Sequence, residues 1–282
     1  MDNYGMLAET KDFRGTWTRY TQDPVRRLEL SRFENYDYAS TKRRKVTREW
    51  HPTFRLPARI AQPLLITQFT YDSAGNLLTR TEQATTNIDG SAGFAAVLSG
   101  APRTQTFTYN AKGQLLTATG PRTDVLEKTT YTYDALGNLA TVTNSLGHTT
   151  SYANYDGDGR AGTITLPNGT SVQRTFTPRG WLATNAVIAG GVVQATVLEY
   201  DGVGQLTKST NQDGSWSSYS YNDAHQMTRV ADSAGNSIDY TLDLRGNRIR
   251  EQVKDPAGTL RRQMSRVFDK DNRLKQQTGA AQ

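Results

Sequence analysis

A seven-residue motif returns along this chain in phase, and its period dictates the architecture. Tyr71-Asp72-Ser73-Ala74-Gly75-Asn76-Leu77 and Tyr133-Asp134-Ala135-Leu136-Gly137-Asn138-Leu139 are near copies. Tyr200-Asp201-Gly202-Val203-Gly204-Gln205-Leu206 and Tyr109-Asn110-Ala111-Lys112-Gly113-Gln114-Leu115 follow the same plan, and weaker copies begin at Tyr155, Phe176, Tyr221, Leu242 and Phe268. Successive anchors from Tyr71 lie 38, 24, 22, 21, 24, 21, 21 and 26 residues apart. A short, regular period of this kind means stacked units, each of which buries its apolar face only against its neighbours.

The residues within one period read as two strands and two turns. In Thr129-Thr130-Tyr131-Thr132-Tyr133 the aromatic side chains alternate with threonine, which is strand periodicity with Tyr131 and Tyr133 on one face. Asp134 suits the first position of a type I turn, and Gly137 supplies the positive φ that closes the turn into a hairpin with a bulge. Leu139–Thr143 is the returning strand. A second turn follows at Asn144-Ser145-Leu146-Gly147 and recurs at Pro167-Asn168-Gly169, Asp213-Gly214, Asp232–Gly235 and Asp255–Gly258, so two turn types alternate. A lone hairpin is marginal in water, so the hairpins must pair side by side into a continuous antiparallel sheet. The fold class is therefore all-β, with Tyr71, Tyr109, Tyr133, Tyr200 and Tyr221 packing between hairpins. Asp72, Asp134 and Asp201 start turns that Gly75, Gly113, Gly137 and Gly204 complete. An apolar face carrying Tyr, Leu and Val must curl on itself or be covered.

Two regions break the pattern. Residues 87–104 read as a loop or short helix inserted between strands, because glycines and small side chains dominate the stretch Asn87–Gly100. Residues 1–62 read as degenerate repeats, with Phe33, Tyr36 and Tyr38 alternating and Pro52, Pro57 and Pro63 marking edges or turns; a separate N-terminal domain is the alternative. The repeats proper occupy 63–282.

Apolar residues make up 35% of the 282, and the chain is rich in glycine, which favours strands and tight turns over helices. There is no cysteine, which rules out disulfides and thiolate metal sites. No run approaches the length of a membrane helix, and the first residues are unlike a signal peptide, so export depends on a signal elsewhere or on dedicated machinery. The net charge of +6 raises the question of an acidic partner. The densest basic run, Thr41-Lys42-Arg43-Arg44-Lys45, lacks interleaved aromatic residues and reads as a solvated strand or loop, with nucleic acid disfavoured.

Nothing in the sequence assembles a catalytic constellation. His51, His148 and His225 lie in different repeats, without ligand spacing or a triad order, and His225 stands where the turn needs a left-handed residue. Tyr155-Asp156-Gly157-Asp158-Gly159-Arg160 has the spaced aspartates of a calcium loop, but Arg160 stands where another acid is needed. Asn168-Gly169-Thr170 matches a glycosylation acceptor and makes an equally good hairpin turn. Trp181 and Trp216 are the candidates for stacking on a sugar, which keeps a carbohydrate or cell-surface binding module as the rival to a purely structural role. No enzyme activity, cofactor or metal is expected.

The motif copies at 71 and 133, with Glu49-Trp50-His51-Pro52 and Tyr240-Thr241-Leu242-Asp243-Leu244-Arg245-Gly246-Asn247-Arg248, resemble bacterial Rhs/YD-repeat proteins, whose relatives include the C components of insecticidal toxin complexes and the teneurins. Nine copies cover about three quarters of the chain. Phe176-Thr177 lacks the aspartate, and His225 and Asn272 replace the turn glycine. The resemblance implies a curled sheet forming part of a hollow β-shell that encloses or presents a C-terminal toxin polypeptide of the same protein. It implies secretion or cell-surface display, and adjoining shell repeats as partners. Shells of this family end in a motif whose aspartates release the toxin. Nothing after Asn247 matches it, and Asp255-Pro256 fits an ordinary turn, so the expectation is a shell fragment or a truncated relative.

Overall fold

In the computed structural model, residues 4–13, 15–35 and 43–281 are described. Tyr36, Tyr38, Thr41 and Lys42 lie outside the described residues. The fold is all-β: the described residues form 23 strands, all in antiparallel sheet, and a 3-10 turn at Gly93–Ala95. The chain divides into two compact units, Met1–Thr149 and Thr150–Gln282.

In both units consecutive strands pair with one another. Within Met1–Thr149, Leu65–Tyr71 pairs with Leu77–Thr85, which pairs with Leu98–Tyr109, and Lys128–Tyr133 pairs with Leu139–Thr143. Within Thr150–Gln282 an unbroken series runs from Thr149–Tyr155 through Ser171–Phe176 and Val192–Tyr200 to Leu274–Ala281. The returning strand Leu139–Thr143 has the bounds its alternation predicts.

Each anchor sits at a β-bulge. Tyr71, Tyr109, Tyr133, Tyr200 and Tyr221 lie opposite Leu77, Leu115, Leu139, Leu206 and Met227, with a one-residue register shift just before each tyrosine. On the opposite face the residue before the anchor meets its cross-strand partner: Thr70–Thr79, Thr108–Thr117, Thr132–Thr141 and Thr175–Thr184 are all hydroxyl pairs at 2.7 Å. Such pairs are a unit of sheet stabilisation and select threonine at both positions.

Burial is shallow. The buried hydrophobic side chains are Met6, Leu28, Val46, Ala61 and Ile66, and among the described residues of Thr150–Gln282 no hydrophobic side chain is buried. This unit is one sheet layer whose tyrosine face is half-covered by neighbouring hairpins.

The deepest burial lies under the insertion. The strand Leu98–Tyr109 begins inside the segment 87–104, because Thr104, Arg103 and Ser99 pair with Thr81, Glu82 and Ala84; the connection is therefore shorter than the glycines suggest. What remains folds back on the sheet: Asp89 O accepts the Lys45 N–H, Asn87 O accepts the Leu64 N–H, and Phe94 lies against the Arg59 guanidinium. Ala61 and Ile66 share that face of the strands and are its best-buried residues.

Candidate functional site: an edge of interlocking turns

The repeated chemistry of this chain is in its turns. At the Asp134 turn, the Asp134 N–H donates to Asn138 O and the Gly137 N–H to Asp134 O, while Asp134 Oδ1 accepts the Asn138 N–H and Oδ2 accepts the Asn138 side-chain amide. Asp72 and Asp243 repeat this scheme with Asn76 and Asn247. Donation by Asn138, Asn76 and Asn247, which stabilises the ionised form, holds the carboxyls of Asp134, Asp72 and Asp243 below the usual carboxylate range. Asp201 is lowered chiefly by the Gln205 N–H. The glycine is required for its backbone angle: φ is +88° at Gly75, +78° at Gly113, +94° at Gly137 and +95° at Gly204.

Departures from the motif are filled by equivalent atoms. Asn110 and Asn222 use their side-chain oxygens as the aspartates do. Thr177 Oγ1 accepts the Trp181 N–H at 3.1 Å, and His225 and Asn272 adopt φ +61° in place of glycine. His51 Nδ1 accepts the N–H groups of Thr53 and Phe54, both at 3.2 Å, at a turn where Trp50 faces Pro57 across a bulge. Asp23 Oδ1 likewise accepts from Val25 and Arg26.

The second series of turns differs from the first in sequence but not in backbone bonding, so turn types do not alternate. Gly147, Gly169, Gly214, Gly235 and Gly258 donate to Asn144, Leu166, Asn211, Asp232 and Asp255, the same bond that Gly137 makes to Asp134. A twisted antiparallel pair accepts only a few short connections, and the three-residue loop with a bulge is one of them.

Successive tyrosine-side turns touch, and in the second series Gly235 likewise lies against Pro256 of the next turn. On the tyrosine side the residue after the turn glycine leans on the turn of the next repeat. In Met1–Thr149, Gln114 donates to Gly137 O at 2.7 Å and Asn76 lies against Gly113; Arg26, which precedes the left-handed Arg27 of its own turn, donates to His51 O and Phe54 O. In Thr150–Gln282, Arg160 donates to Gly180 O at 3.1 Å, Trp181 covers Gly204, Gln205 donates to His225 O at 3.1 Å, Gln226 lies against Gly246 and Asn247 donates to Asn272 Oδ1 at 3.1 Å. The anchors reach the other way: Tyr71, Tyr133 and Tyr221 donate their hydroxyls to the carbonyls of Pro57, Leu115 and Leu206 in the preceding hairpin. Burial raises the phenol pKa of Tyr71, Tyr109 and Tyr221. Sequence reasoning picked out the anchors, aspartates and glycines but missed the residue after the glycine, whose identity varies among Asn, Gln, Arg and Trp.

The remaining candidates fall within this scheme. Arg160 fills the calcium-like loop, bound to Asp156 and Asp158 at 2.7 Å each and lying over the Phe176 ring. Asn168 Oδ1 accepts the Thr170 N–H inside its turn. Trp181 packs on Tyr200, while the half-buried Trp216 has the Lys208 ammonium 5.6 Å from its ring centre. Among the described residues no three His, Asp or Glu side chains gather as metal ligands, and no helix is long and apolar enough to cross a membrane.

A family model described as RHS Repeat matches residues 109–149 and 200–237, two spans that each cover a tyrosine-side turn and the turn after it. No curated protein is significantly similar in sequence. Among solved structures, the crystal structure of TcdB2-TccC3-Cdc42 matches with a TM-score of 0.72 at 17% identity, covering 96% of this chain and 16% of that one. TcdB2-TccC3 without its hypervariable C-terminal region gives 0.71 at 16% identity, covering 97% and 16%. The Tc holotoxin pore of Photorhabdus luminescens gives 0.69 at 17% identity, covering 97% and 17%. Residues 109–149 and 200–237 thus match Rhs repeats, and the fold of the chain is that of the matched part of the TcdB2-TccC3 structures, of whose length it spans about one sixth.

Proposed function

We propose that the chain is a wall segment of an Rhs-type shell that encloses or presents a C-terminal toxin polypeptide, in a secreted system used against other bacteria or a host, and that it is architectural rather than catalytic. The observation that carries this reading is the interlocked turn edge on a single-layer sheet. Successive hairpins are indexed by turn contacts and, at Tyr71, Tyr133 and Tyr221, by a tyrosine hydroxyl, which is how a wall of constant pitch is built from units that have no core of their own. The fold shared with TcdB2-TccC3 over 96% of the chain supports it. His51, His148 and His225 sit in three different turns, and the groups at Asp134, Asp156 and Asp201 are committed to turn hydrogen bonds.

The test is protease protection in the natural polypeptide that bears this chain. The segment C-terminal to the repeats is expected to resist thermolysin in the intact protein and to be cut within minutes once the repeats are unfolded by urea. Cleavage of the intact protein at the rate of the separately expressed segment would refute enclosure. A glycan-binding role now rests on Trp216, since Trp181 is committed to Tyr200 and Gly204; glycan-array binding lost in Trp216→Ala would move the reading there.

A further inference from the structure

The net charge of the chain is localised. Residues 245–275 hold ten of its 33 Lys and Arg residues but four of its 27 Asp and Glu residues, so the 23 cations and 23 anions elsewhere cancel. This stretch forms the adjacent strands Arg248–Lys254, Leu260–Phe268 and the start of Leu274–Ala281, all within the unit Thr150–Gln282.

Register sorts the charges by face. Tyr240 lies opposite Glu251 and Glu251 opposite Met264, so these three share a face, and Arg262 and Arg266, two positions to either side of Met264, lie on it too. Arg262 donates to Glu251 Oε1 at 2.7 Å, and Arg266 lies 3.6 Å from Glu251 Oε2 while its Nε donates to Gln277 at 3.0 Å. Arg248 rests over the Tyr240 ring, 4.1 Å from its centre. Three guanidinium groups thus share this face with the Glu251 carboxylate, both of whose oxygens are engaged. Glu251 is 14% exposed and Arg266 21% exposed, whereas Arg262 is 50% exposed and Arg248 is also exposed, so the accessible cations are Arg248 and Arg262.

We propose that this face binds an acidic polypeptide segment, through side-chain carboxylates held by the exposed guanidinium groups of Arg248 and Arg262, with Arg266 holding Glu251 beneath them. The arginine fork matches a carboxylate, and Arg262 already donates one N–H to Glu251. A single-stranded nucleic acid would also need an exposed aromatic face for its bases, and the Tyr240 face is covered by Arg248. The inference is independent of whether the chain encloses a toxin.

The test is fluorescence anisotropy of labelled poly-L-glutamate with the whole chain at low ionic strength, with a single-stranded oligonucleotide of matched charge as competitor. Arg248→Gln removes a cation of this face, whereas Arg250→Gln removes one from the opposite face, where Arg250 lies across from Thr241 and Ser265. Both lower the net charge by one. Arg248→Gln is expected to weaken binding by about tenfold, the scale of one charge-assisted hydrogen bond. Arg248→Lys, with the charge kept but the planar fork lost, is expected to recover only part of that loss, and Arg250→Gln to match the parent chain. Equal losses from Arg248→Gln and Arg250→Gln would overturn the assignment in favour of a diffuse field. No measurable poly-L-glutamate binding, or tighter binding of the oligonucleotide, would overturn it as well.

Discussion

Substituting alanine for Gly204 isolates the contact between successive turns from the backbone demand of the turn itself. Gly204 and Gly214 close consecutive turns of one hairpin series with the same hydrogen bond, and both have left-handed φ, +95° and +82°. A Cβ on Gly214 meets open space, whereas a Cβ on Gly204 lies 2.7 Å from Cζ2 and 2.9 Å from Cε2 of Trp181. Gly214→Ala therefore incurs only the left-handed penalty, about 1 kcal/mol. Gly204→Ala adds displacement of an indole that also packs on Tyr200, an overpacking cost of about 1–3 kcal/mol, for a total of about 2–4 kcal/mol. Urea unfolding followed by far-ultraviolet circular dichroism measures both losses, and Trp181→Ala combined with Gly204→Ala completes the cycle by removing the ring. In that background Gly204→Ala is expected to cost no more than Gly214→Ala. Equal losses for the two single substitutions would refute a turn-to-turn contact that bears on stability.

Gly137→Val is expected to destabilise the chain more than Ser73→Ala, because a β-branched residue resists φ of +94°; equal melting shifts would remove the turn assignment. Tyr133→Phe deletes the hydroxyl that donates to Leu115 O and is expected to cost about 1 kcal/mol in urea unfolding. Arg160→Gln is expected to retain more stability than Arg160→Ala, since Gln114 and Gln205 make the same reach to the next turn from a shorter side chain. The folded-state pKa values of Asp72, Asp134, Asp201 and Asp243 are depressed, so their contribution is complete above the unfolded value of about 3.9 and is lost as pH falls through the folded values. The melting temperature is therefore expected to fall steeply below about pH 4, and less steeply with Asp134→Asn, the change that Asn110 and Asn222 already represent in their own turns.

The tyrosine-side turns were legible in the sequence because their requirements are local. Gly137 must have positive φ and Asp134 must accept two turn N–H groups, so few residue types serve at either place. The contacts between repeats were not legible, because the task at the residue after the glycine is only to reach about one hairpin further. Asn247, Gln114, Arg160 and Trp181 all manage this with different chemistry. The turns at Asp23 and His51 were hidden for a related reason, since an imidazole nitrogen at His51 does the work of a carboxylate oxygen. Residues 87–104 read as a loop or short helix from glycines and small side chains, yet the backbone of 98–104 is paired to Leu77–Thr85. Pairing is a non-local reward that composition does not reveal. The charge concentrated at 245–275 was present in the sequence, but only the register showed that Arg248, Arg262 and Arg266 share a face with Glu251.

The most direct test of the wall assignment is a cryo-electron microscopy map of the natural polypeptide that bears this chain. The account predicts that residues 63–281 trace as consecutive hairpins in the wall of a closed chamber, with Gln114 and Arg160 bridging successive turns and polypeptide density inside. A map in which these hairpins form a free-standing arm, with no chamber behind the tyrosine face, would contradict it.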